Sequence, residues 1–257
     1  MISLSSQDSK SADDRFSVML AHFAFREPES QRPQSILCRV LDGRVLDEVC
    51  PSDSMVLTPE ERAHYQAAWR NPKAHALAVR TRAELRRMLA RETGLPPHKV
   101  PIVRDEHGKP RCPHPDAVDL DFSISHTDDC AIIALGEAAG IGVDVEEVLN
   151  EEPSDENLAI VFSDEEFQQW AALAPLARRL AFTQAWTIKE AALKALGMGL
   201  DGDTHELTVR FDPDGNVWPV LPSPRWIFER IHFSPRYAAS FIALMSKAET
   251  PLRRMAV

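Results

Sequence analysis

The sequence predicts an α+β protein made of two similar α+β halves that meet near residues 137–141. Three observations carry this expectation. β-rich and helical patterns run β, α, β and then β, α, β along the 257 residues. The β-rich runs are short and bounded by turn signals, as antiparallel strands are. A hydrophobic content of 44% is enough to fill a core, yet no apolar run is long enough to cross a bilayer.

Each element has a local reason. The opening "MISLSSQDSKSADDR" is polar and lacks the apolar centre of a signal peptide, so residues 1–15 read as a disordered tail. "FSVMLAHFAF" and "ILCRVLDGRVLDEV" read as strands, the second turning at Asp42-Gly43. Thr58 caps a helix that has Pro59 at its first position. Lys73 to Arg91 forms an amphipathic helix with Leu77, Leu85, Met88 and Leu89 on one side. Arg80, Arg87 and Arg91 cluster on its outer face, while Arg82 and Arg86 border the apolar stripe.

"DFSISH", "CAIIALG" and "GIGVDVEEV" read as an antiparallel meander. Ser163 and Glu166 form a capping box at the start of "FSDEEFQQWAALAP". The helix containing "WTIKEAALKALGMG" closes at Gly197. "HELTVRFDPDGNVW", turning at Asp214-Gly215, and "YAASFIALMS" supply the last strands. The halves are thus 16–138 and 139–247, with a C-terminal tail at 248–257.

Charge and cysteine usage narrow the class. The chain carries a net charge of −10, but residues 70–111 hold eleven Lys or Arg against four Asp or Glu. A basic island in an acidic protein suits one local anionic ligand or a solvated helix face. It does not suit a long nucleic-acid track, and no aromatic residues interleave the arginines for base stacking. Cys38, Cys50, Cys112 and Cys130 show no metal-ligand spacing and read as reduced thiols of a cytoplasmic protein.

Two segments raise chemical questions. On a helix, Phe182, Trp186, Leu193 and Leu196 form one apolar stripe, with Lys189 inside it, Glu190 on its flank and Lys194 one turn further. Glu190 and Lys194 make an ordinary i, i+4 pair, worth about 0.2–0.5 kcal/mol on a surface. Lys189 either snorkels to the edge or points into a cleft holding an anion. In "IGVDVEE", Val143 and Val145 face one side of a strand and Asp144 and Glu146 the other. Such a carboxylate pair suits Mg²⁺ with substrate phosphates, or equally a charged edge that prevents aggregation. "GMGLDG" follows a helix, so it is no dinucleotide fingerprint. There is no P-loop, and Ser125-His126 lacks a nucleophile elbow.

The ordered set "GKP" (108–110), "FSISH" (122–126), "GVDVEE" (142–147), "FSDEEF" (162–167) and "WTIKEAALK" (186–194) resembles the Sfp-type 4′-phosphopantetheinyl transferases from about Arg70 to Leu200. The resemblance implies two halves related by a pseudo-two-fold axis, with coenzyme A and Mg²⁺, or Mn²⁺ in its place, in the cleft between them. It makes Asp144, Glu146 and Glu190 the metal carboxylates, with Lys194 at the pyrophosphate and Lys189 at the same rim. Ser125 and His126 would touch the nucleotide end and its 3′-phosphate. Lys109 falls on the lysine of the GKP turn, and Arg86, Arg70 and Lys73 on basic residues that hold the coenzyme's phosphates.

The implied activity moves 4′-phosphopantetheine from coenzyme A to a serine of an apo acyl or peptidyl carrier protein, releasing adenosine 3′,5′-bisphosphate. Asp144, Glu190 and Lys194 would carry the chemistry. The rival is a coenzyme A or nucleotide binder on the same fold without transfer activity. A monomer is expected, with no nucleic-acid or membrane partner.

Overall fold

The computed structural model describes residues 3–4, 18–25, 34–117, 120–198 and 202–245. Strand alternation sorts its side chains into layers. A five-stranded antiparallel sheet has the order β1 (Ser3–Leu4), β2 (Val18–Phe25), β3 (Gln34–Asp42), β7 (Cys130–Glu137), β6 (Leu120–His126). A three-stranded antiparallel sheet has the order β11 (Trp226–Arg230), β12 (Tyr237–Leu244), β8 (Gly140–Glu147). Ile36, Cys38, Val40, Ile132 and Ala134 of the first sheet form one buried cluster with Ile141, Val143, Val145, Phe241 and Ala243 of the second. The two sheets therefore share a core.

A 22-residue helix covers the outer face of each sheet. α3 (Pro72–Thr93) packs Leu77, Leu85, Met88 and Leu89 against Phe122, Ile133 and Leu135. α6 (Pro175–Leu196) packs Ala185, Ile188, Ala191, Ala192 and Ala195 against Ile242. Around α6 lie α4 (Asp155–Val161), α5 (Asp164–Ala171) and the hairpin β9 (Val209–Phe211)–β10 (Val217–Pro219). Both long helices end on a glycine in the left-handed region, Gly94 at φ 68° and Gly197 at φ 72°. α2 (Pro59–Ala68) starts with the Thr58–Glu61 capping box and α5 with the Ser163–Glu166 box.

The structure departs from the sequence expectations in four places. Only the first arm of the Asp42-Gly43 hairpin is a strand. Asp42 Oδ1 accepts from Arg44 N at 2.9 Å, and Gly43–Val45 winds into a 3₁₀ turn. β6 and β7 pair as a meander, but β8 leaves them to pair with β12. α1 (Pro51–Val56), α4, β11 and the short hairpin β4 (Val103–Arg104)–β5 (Pro110–Arg111) carry no strong periodicity of their own. In the 1–15 tail, Ser3–Leu4 pairs with β2. The rest of that tail and residues 248–257 lie outside the described residues.

The basic island is largely consumed internally. Asp53 of α1, 1% exposed, meets Arg80 at 3.1 Å and Arg87 at 2.7 Å, so the expected outer face of α3 is covered. Glu61 of α2 takes Arg82 at 2.5 Å and Arg86 at 2.7 Å. A run of arginines that reads as a phosphate cradle is in good part the glue between three helices.

Candidate active site

The central contact is backbone against backbone. Gly140 and Gly142 present no side chain on the face of β8 that α6 covers. A Cβ on Gly142 would lie 1.7 Å from the Ala191 carbonyl oxygen, and one on Gly140 2.1 Å from that of Ala195. Small residues on both sides let the helix sit directly on the strand. The next outward-facing residues of β8, Asp144 and Glu146, then meet the polar flank of α6.

That meeting forms a cleft of about 690 Å³, lined by Ser125 and His126 of β6, Asp144 and Glu146 of β8, and Trp186, Glu190 and Lys194 of α6. Ile160 of α4 and residues 202–205 close its far wall. Six residues singled out in the sequence are therefore brought together from three elements that span positions 125 to 194: Ser125, His126, Asp144, Glu146, Glu190 and Lys194.

The electrostatics are unbalanced toward negative charge. Asp144 is 3% exposed. Its Oδ1 accepts from Lys194 Nζ at 2.6 Å and Ser125 Oγ at 2.7 Å, while the buried Oδ2 finds no partner among the described residues. Among the described residues, Glu146 receives a long contact from Trp186 Nε1 at 3.4 Å. Burial raises the Glu146 carboxyl above its ordinary range, and Asp144 adds to the rise. Glu190 is raised by the same two causes, against the pull of Lys194. The donor set fits a hard cation such as Mg²⁺: a carboxylate oxygen without a partner among the described residues and two destabilised carboxylates. Among the described residues, no three acidic or imidazole side chains stand in closed ligand geometry, and Lys194 is the present counter-ion of Asp144.

His126 faces a second hollow of about 500 Å³ with Tyr65, Trp69, Arg82 and Arg104. Its ring meets Trp69 edge-on at 5.6 Å. Desolvation, and secondarily Lys194, lower its pKa below the ordinary imidazole range.

Five residues expected at the coenzyme do not line this cleft. Lys189, 1% exposed, points away from the cleft and donates to Glu166 Oε2 at 2.8 Å and the Val161 carbonyl at 2.7 Å. The other oxygen of Glu166 accepts from Val209 N at 2.7 Å. Lys189 thus sits in the apolar stripe because Glu166 neutralises it there, tying α4, α5 and β9 to α6. Arg86, 2% exposed, spends its guanidinium on Glu61 and the carbonyls of Pro97 and Val100. Lys109, 9% exposed, donates to Asp121 Oδ2 at 2.6 Å and to the carbonyls of Ile141 and Lys194. Arg70 and Lys73 are exposed at the α2–α3 junction, Lys73 against Asp47 at 3.2 Å, and neither lines the cleft. Ile160, Trp186 as a wall, and Asp203–His205 were not singled out by spacing, since nothing local marks a residue that lines a cleft built by distant elements.

Comparison with known proteins gives one consistent answer. Residues 140–242, which contain β8 and α6, match the family described as the 4′-phosphopantetheinyl transferase superfamily. A Synechocystis protein provisionally named a 4′-phosphopantetheinyl transferase is 28% identical over 179 residues, 66% of this chain and 70% of its own length. 4′-phosphopantetheinyl transferase Sfp of Bacillus subtilis strain 168 is 28% identical over 167 residues, covering 65% and 71%. Another Bacillus subtilis 4′-phosphopantetheinyl transferase is 30% identical over 139 residues, covering 54% of this chain and 59% of its own. The strand β8, the helix α6 and the cleft carboxylates between them lie inside the region that is similar to the 4′-phosphopantetheinyl transferase superfamily.

Proposed function

We propose that the cleft transfers 4′-phosphopantetheine from coenzyme A to a serine of an apo carrier protein. The observation that carries this reading is the meeting of Asp144 and Glu146 with Glu190 and Lys194 across the glycine contact. It creates a pocket with surplus carboxylate at its floor and one half-exposed lysine, held on Asp144, at its rim. Asp144, Glu146 and Glu190 would hold Mg²⁺, which when bound supplies charge neutralisation at the pyrophosphate. Lys194 exchanges its contact with Asp144 for a pyrophosphate oxygen. Ser125 and His126 face the nucleotide end, and His126 gains its proton as the 3′-phosphate arrives.

The chain's own chemistry is a proton transfer and a displacement. The carrier serine oxygen bonds to the β-phosphorus of coenzyme A. The phosphoanhydride bond breaks, and adenosine 3′,5′-bisphosphate leaves with the electron pair. Glu190, whose raised pKa brings it closer to neutrality, accepts the serine proton directly or through a water. Every side chain assigned to the cleft comes from one chain, which supports a monomer, and a sizing column that showed an obligate trimer would contradict it. The absence of a membrane-length apolar helix among the described residues is compatible with work in the cytoplasm.

The direct test mixes the protein with coenzyme A, Mg²⁺ and a panel of apo carriers from fatty-acid, polyketide and peptide synthesis, then weighs the carriers. A phosphopantetheine mass gain on at least one is expected. Tight coenzyme A binding with no gain on any carrier would favour the binding protein instead.

A further inference from the structure

The edge of β8 that faces β6 has backbone groups with no strand partner there, and side chains take their place. Ile141 N donates to Asp121 Oδ2 at 2.6 Å and Val143 N to Ser123 Oγ at 3.1 Å. The Val143 carbonyl accepts from Lys194 Nζ at 3.3 Å, and the Ile141 carbonyl from Lys109 Nζ at 3.0 Å. The same Lys109 ammonium donates to the backbone carbonyl of Lys194 at 2.8 Å. With Asp121 as third acceptor its three donors are filled.

The Lys194 carbonyl lies in the last turn of α6, at the negative end of the helix dipole, where it also accepts from Gly197 N at 3.2 Å. Lys109 is therefore a cap brought from another element. Gly197 fits over it: a Cβ there would come within 3.9 Å of Lys109 Cδ and 3.2 Å of Arg111 Nη2. Arg111 in turn holds Asp121 Oδ1 at 2.7 Å. One residue is thus gripped twice. Its backbone is fixed by Lys109, and its side chain reaches Asp144.

We propose that Lys109, oriented by Asp121, is a positioning residue for the transfer site: it fixes the end of α6 on β8 so that Lys194 is aimed at Asp144 and the incoming pyrophosphate. It touches no reacting atom. The inference rests on the transferase reading only in taking Lys194 as the pyrophosphate contact. Misplacement of a charged contact by about 1 Å is enough to lose most of its effect.

The test is a double-mutant cycle read by calorimetric coenzyme A affinity, with melting temperature alongside. Lys109→Met is expected to weaken coenzyme A roughly tenfold, the loss of one charge-assisted contact. In a Lys194→Ala background it should add less than about twofold, because the two changes remove the same interaction. Asp121→Asn, which keeps its shape, runs the same cycle if Lys109→Met does not fold. Equal weakening in both backgrounds, or a lowered melting temperature with unchanged affinity, would overturn the proposal. If Lys194→Ala itself bound coenzyme A like the wild type, the role given to Lys194 would fail instead.

Discussion

Glu190 shows what a single side chain contributes. Burial and Asp144 hold its carboxyl pKa above the unfolded value, so the folded protein binds that proton more tightly. Stability is therefore lost as pH rises from the unfolded pKa through the raised one, whereas a base at this position works only above it. Glu190→Gln removes the penalty and keeps the shape, so it should melt at or above the wild-type temperature at neutral pH. Transfer should nevertheless fall by about 10²–10⁴-fold, as when a general base is removed. Carrier-modification rates and melting curves on one preparation check both halves of this expectation. A Glu190→Gln protein with near wild-type transfer removes Glu190 from the mechanism. The wild-type rate should also decline as pH falls through the raised pKa, and a flat acid limb would say that Glu190 is not the base. The same physics, burial beside a like charge, holds the His126 pKa below the ordinary imidazole range, with Lys194 as the neighbour. His126→Ala should weaken coenzyme A more than its dephospho form, and equal losses would place it away from the 3′-phosphate.

At the scale of elements, the seam between β8 and α6 decides where these side chains stand. Gly142→Ala would drive a methyl group to 1.7 Å from the Ala191 carbonyl. The helix must then lift off the strand, at a cost of about 1–3 kcal/mol or more for overpacking. Urea denaturation should show that loss, and transfer should fall even where the fold survives, because Glu190 and Lys194 move away from Asp144. Wild-type stability with normal transfer would mean the seam is looser than its contacts. The Lys189–Glu166 pair ties α5 to that same helix at fully buried positions. Lys189→Met leaves Glu166 its bonds to Ser163 N and Val209 N but strips its counter-ion. It should destabilise by about 3–5 kcal/mol, the cost of breaking a buried pair, and its midpoint in urea would report this directly.

Across the whole molecule, the two sheets cannot be separated without exposing a shared core and an unpaired strand edge. Residues 139–247 expressed alone should lack native near-ultraviolet dichroism, since Val143, Val145 and Phe241 pack on strands of the other sheet and Asp121 and Ser123 satisfy the edge of β8. A fragment with a cooperative, native-like melt would contradict this.

The sequence by itself determined what local physics can encode: the helices with their caps and closing glycines, most of the strands, and the four cleft residues of β8 and α6. Period-2 and 3.6-residue patterns show which face a side chain takes, and Gly142-Val-Asp144 and Lys189-Glu190 stand out because they break an apolar face. Tertiary structure alone decided which charges face the cleft and which face inward. Lys189, Arg86 and Lys109 look like ligand contacts along the chain, but each meets an acid 12 to 25 positions away that exists as a neighbour only after folding. A buried cation and a binding cation have the same letter, and only the partner that the fold delivers tells them apart.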